Sequence, residues 1–276
     1  FHGVSRRIGL RATGWTYREG ETDAVEAIIV DPAGQPVADT PGQMTIERKV
    51  ARVARVKTAG DVYEPRYSYH WETDESCEIP RSRSLTPEKP GPAPSPPRDT
   101  DARTISDPVA RCEFTPEHAG AYRARAKVSD EHGRRHESEI YFWVTGNSEV
   151  VWSQPDGGHL EIVPESERYE IGAVARFLIK NPFPGAHALV TLERYGVLGS
   201  WVQRLDSATP VLEVPITRNL LPGFYLSVVV TAPRAHGPAL GVGDKGDTGI
   251  GPKVDLGKPT SRIGYVRVAV RDPESR

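Results

Sequence analysis

The chain has 276 residues, enough for roughly two domains at about 100–200 residues each. Its net charge of −2 lacks the basic surplus of a nucleic-acid module, and no apolar run approaches the ~18 residues of a membrane-spanning helix. Hydrophobic content is 37%, with 26 glycines and 25 prolines, a balance suited to many turns and thin cores, and the apolar residues come in patterned blocks that a chain disordered throughout would lack.

The first half carries seven candidate strands, near 5–12, 24–31, 44–56, 62–72, 109–114, 121–129 and 135–145. Alternation is clearest at 122–128, where Tyr122, Ala124, Ala126 and Val128 take one face and Arg123, Arg125 and Lys127 the other. A period of two means one buried and one wet face, as in antiparallel sheets. Residues 24–30 and 140–144 are denser apolar runs suited to central strands. The stretch ERKVARVARVK (47–57) spaces Val50, Val53 and Val56 three apart. It fits a short basic helix or a bulged strand, and its β-branched valines favour the strand. Its five cations (Arg48, Lys49, Arg52, Arg55 and Lys57) suggest a nucleic-acid patch, but a solvated strand face fits the acidic balance elsewhere better.

Six or seven more strands are expected in 149–272. YEIGAVARFLIKNPFPGAHALVTLERYGVL (169–198) reads as strand, proline–glycine turn, strand. Residues 225–231 form another dense run, and Val266, Val268 and Val270 alternate with polar or small residues. The halves echo each other. AIIVDPAG (27–34) corresponds to FLIKNPFPG (177–185), and Gly120-Ala121-Tyr122 to Gly223-Phe224-Tyr225. No window carries a convincing helical period. The expected fold is all-β: two consecutive fibronectin-III-like antiparallel β-sandwiches, residues 1–147 and 148–276. Long inserts near 80–108 (proline-rich) and 233–260 (glycine-rich) cannot build a core and are the expected mobile, protease-sensitive parts.

No catalytic, cofactor or metal site emerges. Gly241-Val242-Gly243-Asp244-Lys245-Gly246 matches G-x-G-x-x-G, but further glycines and Pro252 leave no helix to receive a pyrophosphate. Asp244, Asp247 and Asp255 lack the EF-hand spacing. His70, Glu72 and Asp74 would share a strand face, yet no H-E-x-x-H or partner His accompanies them, so a solvated strand end is the plainer reading. G-x-S-x-G is absent. The five tryptophans are scattered and suit cores or module joints. Cys77 and Cys112 each end a candidate strand and bracket the proline-rich insert. They are expected to form a disulfide at its base, the alternative being two buried thiols.

FTPEHAGAYR (114–123), YFWVTG (141–146), SEVVW (148–152), the strand pair at 169–198, LPGFYLSVVV (221–230) and DLGKPTSRIGYVRVAV (255–270) together resemble sequence of the bacterial alpha-2-macroglobulin family. That resemblance implies macroglobulin-type sandwiches from a large protease trap. In that family bait cleavage triggers a conformational change, and a C-x-E-Q thioester in many members couples to the protease. Here the cysteines stand in C-E-I-P (77–80) and C-E-F-T (112–115), so no thioester is present. No V-D-x-x-V-L signature is present either, and both modules are expected upstream of the bait and thioester regions. Starting at Phe1, with Met44 as its only methionine and no signal peptide, the chain reads as a piece of something longer. The implied role is a non-catalytic scaffold in the periplasm or cell envelope. Its partners would be neighbouring modules and, only through the full-length protein, target proteases. Nucleic-acid partners, membrane insertion and cofactors are not expected. The alternative is a carbohydrate- or adhesin-type binding module, which a linear aromatic platform on one sheet face would favour.

Overall fold

A computed structural model describes residues 3–37, 40–57, 63–79, 110–152, 158–232 and 259–274. The chain divides into two compact units, Phe1–Val144 and Thr145–Arg276. Each is built from one three-stranded and one five-stranded sheet around its own core.

The first unit contains β1 (Arg7–Ala12), β2 (Thr16–Arg18), β3 (Asp23–Val30), β4 (Gly42–Lys57), β5 (Tyr63–Ile79), β6 (Ala110–Phe114), β7 (Gly120–Ser129) and β8 (Arg135–Thr145). The small sheet runs β1-β3-β6 and the large one β2-β8-β7-β4-β5. On β7 the alternation expected from the sequence holds: Tyr122, Ala124, Ala126 and Val128 are buried, while Arg123, Arg125 and Lys127 face outward into ion pairs. Between the sheets Tyr17 meets Phe114 and Phe142 edge-on, with ring centroids 5.3 and 4.9 Å apart. Tyr122 donates its hydroxyl to the His118 carbonyl at 2.8 Å, so its one polar atom is satisfied inside the core.

The basic stretch 47–57 is strand, the distal part of β4. Its register with β5 shifts between Ile46, opposite Glu75, and Glu47, opposite Thr73. Asp74 is left as the extra residue of a bulge. Pairing of β4 with β7 stops at Arg48–Tyr122, whereas pairing with β5 continues to Lys57–Tyr63. The outer half of β4 and β5 is therefore a two-stranded ribbon extending past the ladder with β7.

The second unit contains β9 (Ile162–Pro164), β10 (Arg168–Glu170), β11 (Val174–Ile179), β12 (Ala186–Glu193), β13 (Val197–Leu205), β14 (Val211–Pro215), β15 (Gly223–Ala232) and β16 (Thr260–Arg271). A single turn of 3-10 helix spans Arg218–Leu220. The sheets run β14-β11-β9 and β10-β16-β15-β12-β13. The core is aliphatic around Phe177 and Phe224. Strand β10 departs from the antiparallel expectation and lies parallel to β16, Arg168 opposite Ala269, as does an isolated bridge from His159 to Ile263. Parallel neighbours need a long crossover, and here the rest of the unit supplies it. Gly264 on β16 lies so close to the Leu160 carbonyl oxygen that a β-carbon there would collide with it.

One of the two sequence echoes is structural. Residues 27–34 and 177–185 each finish the central strand of a small sheet and turn on an Asx side chain. Asp31 Oδ1 accepts from the amides of Ala33 and Gln35, both at 2.9 Å. Asn181 Oδ1 accepts from the Phe183 amide at 3.0 Å, and its amide donates to the Ser207 carbonyl at 2.9 Å. The other echo fails at the side-chain level. Tyr122 is buried in the first unit, but in the second Phe224 is buried and Tyr225 is half exposed. A one-residue offset sends the whole set to the other face.

Candidate functional site

Cys77 on β5 and Cys112 on β6 are joined by a disulfide with a Cα–Cα distance of 5.7 Å. Strand β5 is the outermost strand of the large sheet and β6 that of the small one, so the bond closes the edge where the two layers meet. Both cysteines are consumed by it, and no thiol is free for nucleophilic chemistry.

His70 Nε2 lies 2.7 Å from Glu72 Oε1, but Asp74 does not complete a triad. The bulge takes Asp74 out of the alternation, and its carboxyl is pushed up by burial, with opposing influences from Arg48 and Glu117. No group of three or more His, Cys, Asp or Glu able to hold a metal occurs among the described residues. The G-x-G-x-x-G match (241–246), Asp244, Asp247 and Asp255 lie outside the described residues, as does nearly all of both inserts. A hollow of about 450 Å³ is lined by Arg168, Leu221, Ala269, Val270, Arg271 and Asp272, a set without Ser, Thr, Cys, His or Lys.

Asp130, in the turn between β7 and β8, is the most heavily hydrogen-bonded carboxylate among the described residues. Its oxygens accept from the amides of Ser5, His132 and Arg134 at 3.2, 2.9 and 2.9 Å, and from Arg134 Nε at 2.7 Å. Burial pushes its carboxyl up, but those donors outweigh burial and hold it well below the usual carboxylate range. This is a structural clamp tying the N-terminal segment to the β7–β8 turn.

The feature that the sequence reading passes over is on the outer face of the large sheet. Tyr67, Tyr69 and Trp71 occupy alternate positions of β5 and so share one face. Tyr141 of β8 lies against Trp71, ring centroids 5.9 Å apart with planes inclined at 53°. The Arg123 guanidinium sits 4.4 Å from the centre of the Trp71 ring, and Lys49 Nζ 5.2 Å from that of Tyr69. Tyr67 is 47% exposed and Tyr141 56%. Trp71 is thus outside the core of its unit, unlike Trp152, which is buried and donates to the Ala208 carbonyl at 2.8 Å. Tyr-x-Tyr-x-Trp is the available sequence signal, while the join to Tyr141 needs the sheet order.

Residues 160–276 match the family model described as Alpha-2-macroglobulin bait region domain. The match takes in both sheets of the second unit, from Leu160 beneath Gly264 through β9 to β16. This is the family that the sequence resemblance pointed to, and over residues 160–276 the second unit is similar to its bait region domain. One expectation is corrected. Both modules were expected upstream of the bait region, but the match is to the bait region domain itself. Motifs missing from this chain say only what it lacks, not which side of the bait it occupies.

Among solved structures, the native alpha-2-macroglobulin of E. coli is 15% identical, with a TM-score of 0.34, over 98% of this chain. A methylamine-reacted Salmonella alpha-2-macroglobulin is 16% identical, with a TM-score of 0.35, again over 98%. A trypsin-activated E. coli alpha-2-macroglobulin is 15% identical over 98%, with a TM-score of 0.29. In each case the chain spans 15% of the length of the protein it matches. No curated protein sequence matches.

Proposed function

We propose that this chain is a non-catalytic pair of modules from an alpha-2-macroglobulin-like protease trap of the bacterial periplasm or cell envelope. The observation that carries the proposal is the bait-region match over residues 160–276. The second unit suits a module that has to survive contact with proteases. Strands β15 and β16 pair over ten residues, from Gly223–Ala269 to Ala232–Thr260. By sequence, the glycine-rich insert runs from one strand of this ladder to the other, so backbone cleavage there leaves both strands in the sheet. The insert offers trypsin Lys245 and Lys253. The disulfide accords with an oxidising compartment. Neighbouring macroglobulin modules are the partners of this chain, and proteases engage it as part of the whole protein.

The test is to express the complete open reading frame containing this chain and incubate it with trypsin. A trap blocks digestion of a large protein substrate while leaving hydrolysis of a small chromogenic peptide intact. Equal loss of both activities, or of neither, would refute the proposal.

A further inference from the structure

The outer face of the first unit carries an aromatic row that nothing in protease trapping requires. Tyr67, Tyr69 and Trp71 follow one another at two-residue steps along β5, a span of roughly 13 Å at about 3.3 Å per residue. Tyr141 adds a fourth ring against Trp71, its plane inclined, so the platform is twisted rather than flat. The row is held in place from below and beside, with Arg123 stacked on Trp71 and Lys49 over Tyr69. Pre-set rings lose little conformational freedom on binding.

We infer that this row is a binding platform for an extended sugar chain. Aromatic rings stack on the C–H faces of pyranose rings, and one ring per step suits a repeating linear ligand. Hydroxyls need polar partners beside the rings, and the site offers them: among the described strands β5 ends its sheet next to β4, so alternate backbone amides and carbonyls along it point away from that ladder. The Tyr67 hydroxyl adds a further donor and acceptor.

The surroundings argue against two other occupants. A protein partner would bury a broad apolar patch, but the rings border charged residues on the same face. A single-stranded nucleic acid also stacks on aromatic rows, but it needs free cations for its phosphates. Among the described residues, Arg123 is already engaged with Glu47 and Glu139, and Arg125 with Glu137 and Glu139. Lys127 joins Glu137 in the same ladder. A polymer without dense charge fits this face best.

The test uses the 276-residue chain, titrated by calorimetry with cellohexaose, chitohexaose and a twelve-residue oligothymidylate. At least one hexasaccharide should bind, and Trp71→Ala and Tyr67→Ala should each weaken it tenfold or more. Tyr265→Ala, at an exposed tyrosine of the other unit, should leave it unchanged. If Trp71→Ala loses its strand circular dichroism, Tyr67→Ala carries the test, because Tyr67 stands on the ribbon beyond the ladder with β7. Failure of both sugars to bind at millimolar concentration would overturn the inference. So would binding that survives both substitutions, or tighter binding of the oligonucleotide than of either sugar. None of these outcomes bears on protease trapping, which the whole-protein assay tests separately.

Discussion

Reducing the Cys77–Cys112 bond isolates the contribution of one covalent link to one of two independent cores. The cysteines are 35 residues apart. In the chain-entropy treatment, closing a loop of that size removes unfolded-state entropy equivalent to about 4 kcal/mol at 25 °C. The native side loses little, because β5 and β6 are each held by their own ladder. For a unit of this size a change of 1 kcal/mol moves the melting temperature by about 3 °C, so reduction should lower that of the first unit by roughly 10–12 °C. The second unit contains no cysteine and serves as an internal control. Hydrogen exchange read by mass spectrometry along a temperature ramp, with and without a phosphine reductant, separates the two. Peptides from β7 should lose protection about 10 °C earlier when reduced, and peptides from β12 at an unchanged temperature. Identical β7 curves in both redox states would refute the reasoning, as would an equal fall in both units.

Other outcomes follow from single contacts. Asp130 is held ionised below the usual carboxylate range, so its contribution is fully present above the unfolded value and is lost as pH falls through the folded one. Acid titration of the first unit's melting temperature should fall between about pH 5 and pH 2, and Asp130→Asn should lower the neutral-pH value and flatten that slope. Gly264→Ala drives a methyl into the Leu160 carbonyl and should cost the second unit about 2–3 kcal/mol in urea denaturation. Phe177→Ala empties the middle of the same core and should cost about 3–5 kcal/mol by the same assay. Limited trypsin digestion should cut first within 84–106 and 235–258, whose compositions bury too little to offset ordering entropy, and cuts inside β7 or β11 with both inserts intact would contradict this.

The long strands were legible because their faces differ. On β7, alternating alanines and cations specify both the strand and which side is wet. All seven candidates of the first half have counterparts in β1 and β3 to β8. Strand β2 was missed because three residues between glycines carry no measurable period. Strand β5 was expected to end near 72 but runs to Ile79. The polar sequence after Trp71 has no apolar alternation, and backbone pairing with β4 extends the strand there. The parallel pairing of β10 with β16 joins residues about a hundred positions apart, which local pattern cannot foresee. Trp71 was assigned to cores or joints because tryptophans are usually buried. The alternation of Tyr67, Tyr69 and Trp71 was in plain view, but the side of the sheet they occupy is fixed by Arg123 and Glu47, residues of two other strands.

The two inserts, similar in length, would respond differently to being cut. The first leaves the fold between Cys77 and Cys112, so a single break within it yields two polypeptides still joined through sulfur. On a non-reducing gel such a molecule migrates as one band and separates only when reductant is added. The second has no covalent clasp. A break there yields pieces held by non-covalent contacts alone, β16 pairing with β15 and β10 and packing into the core, together in buffer and apart in detergent. One chain thus carries a permanent nick-tolerant ring and a releasable one, and electrophoresis with and without reductant tells which was opened.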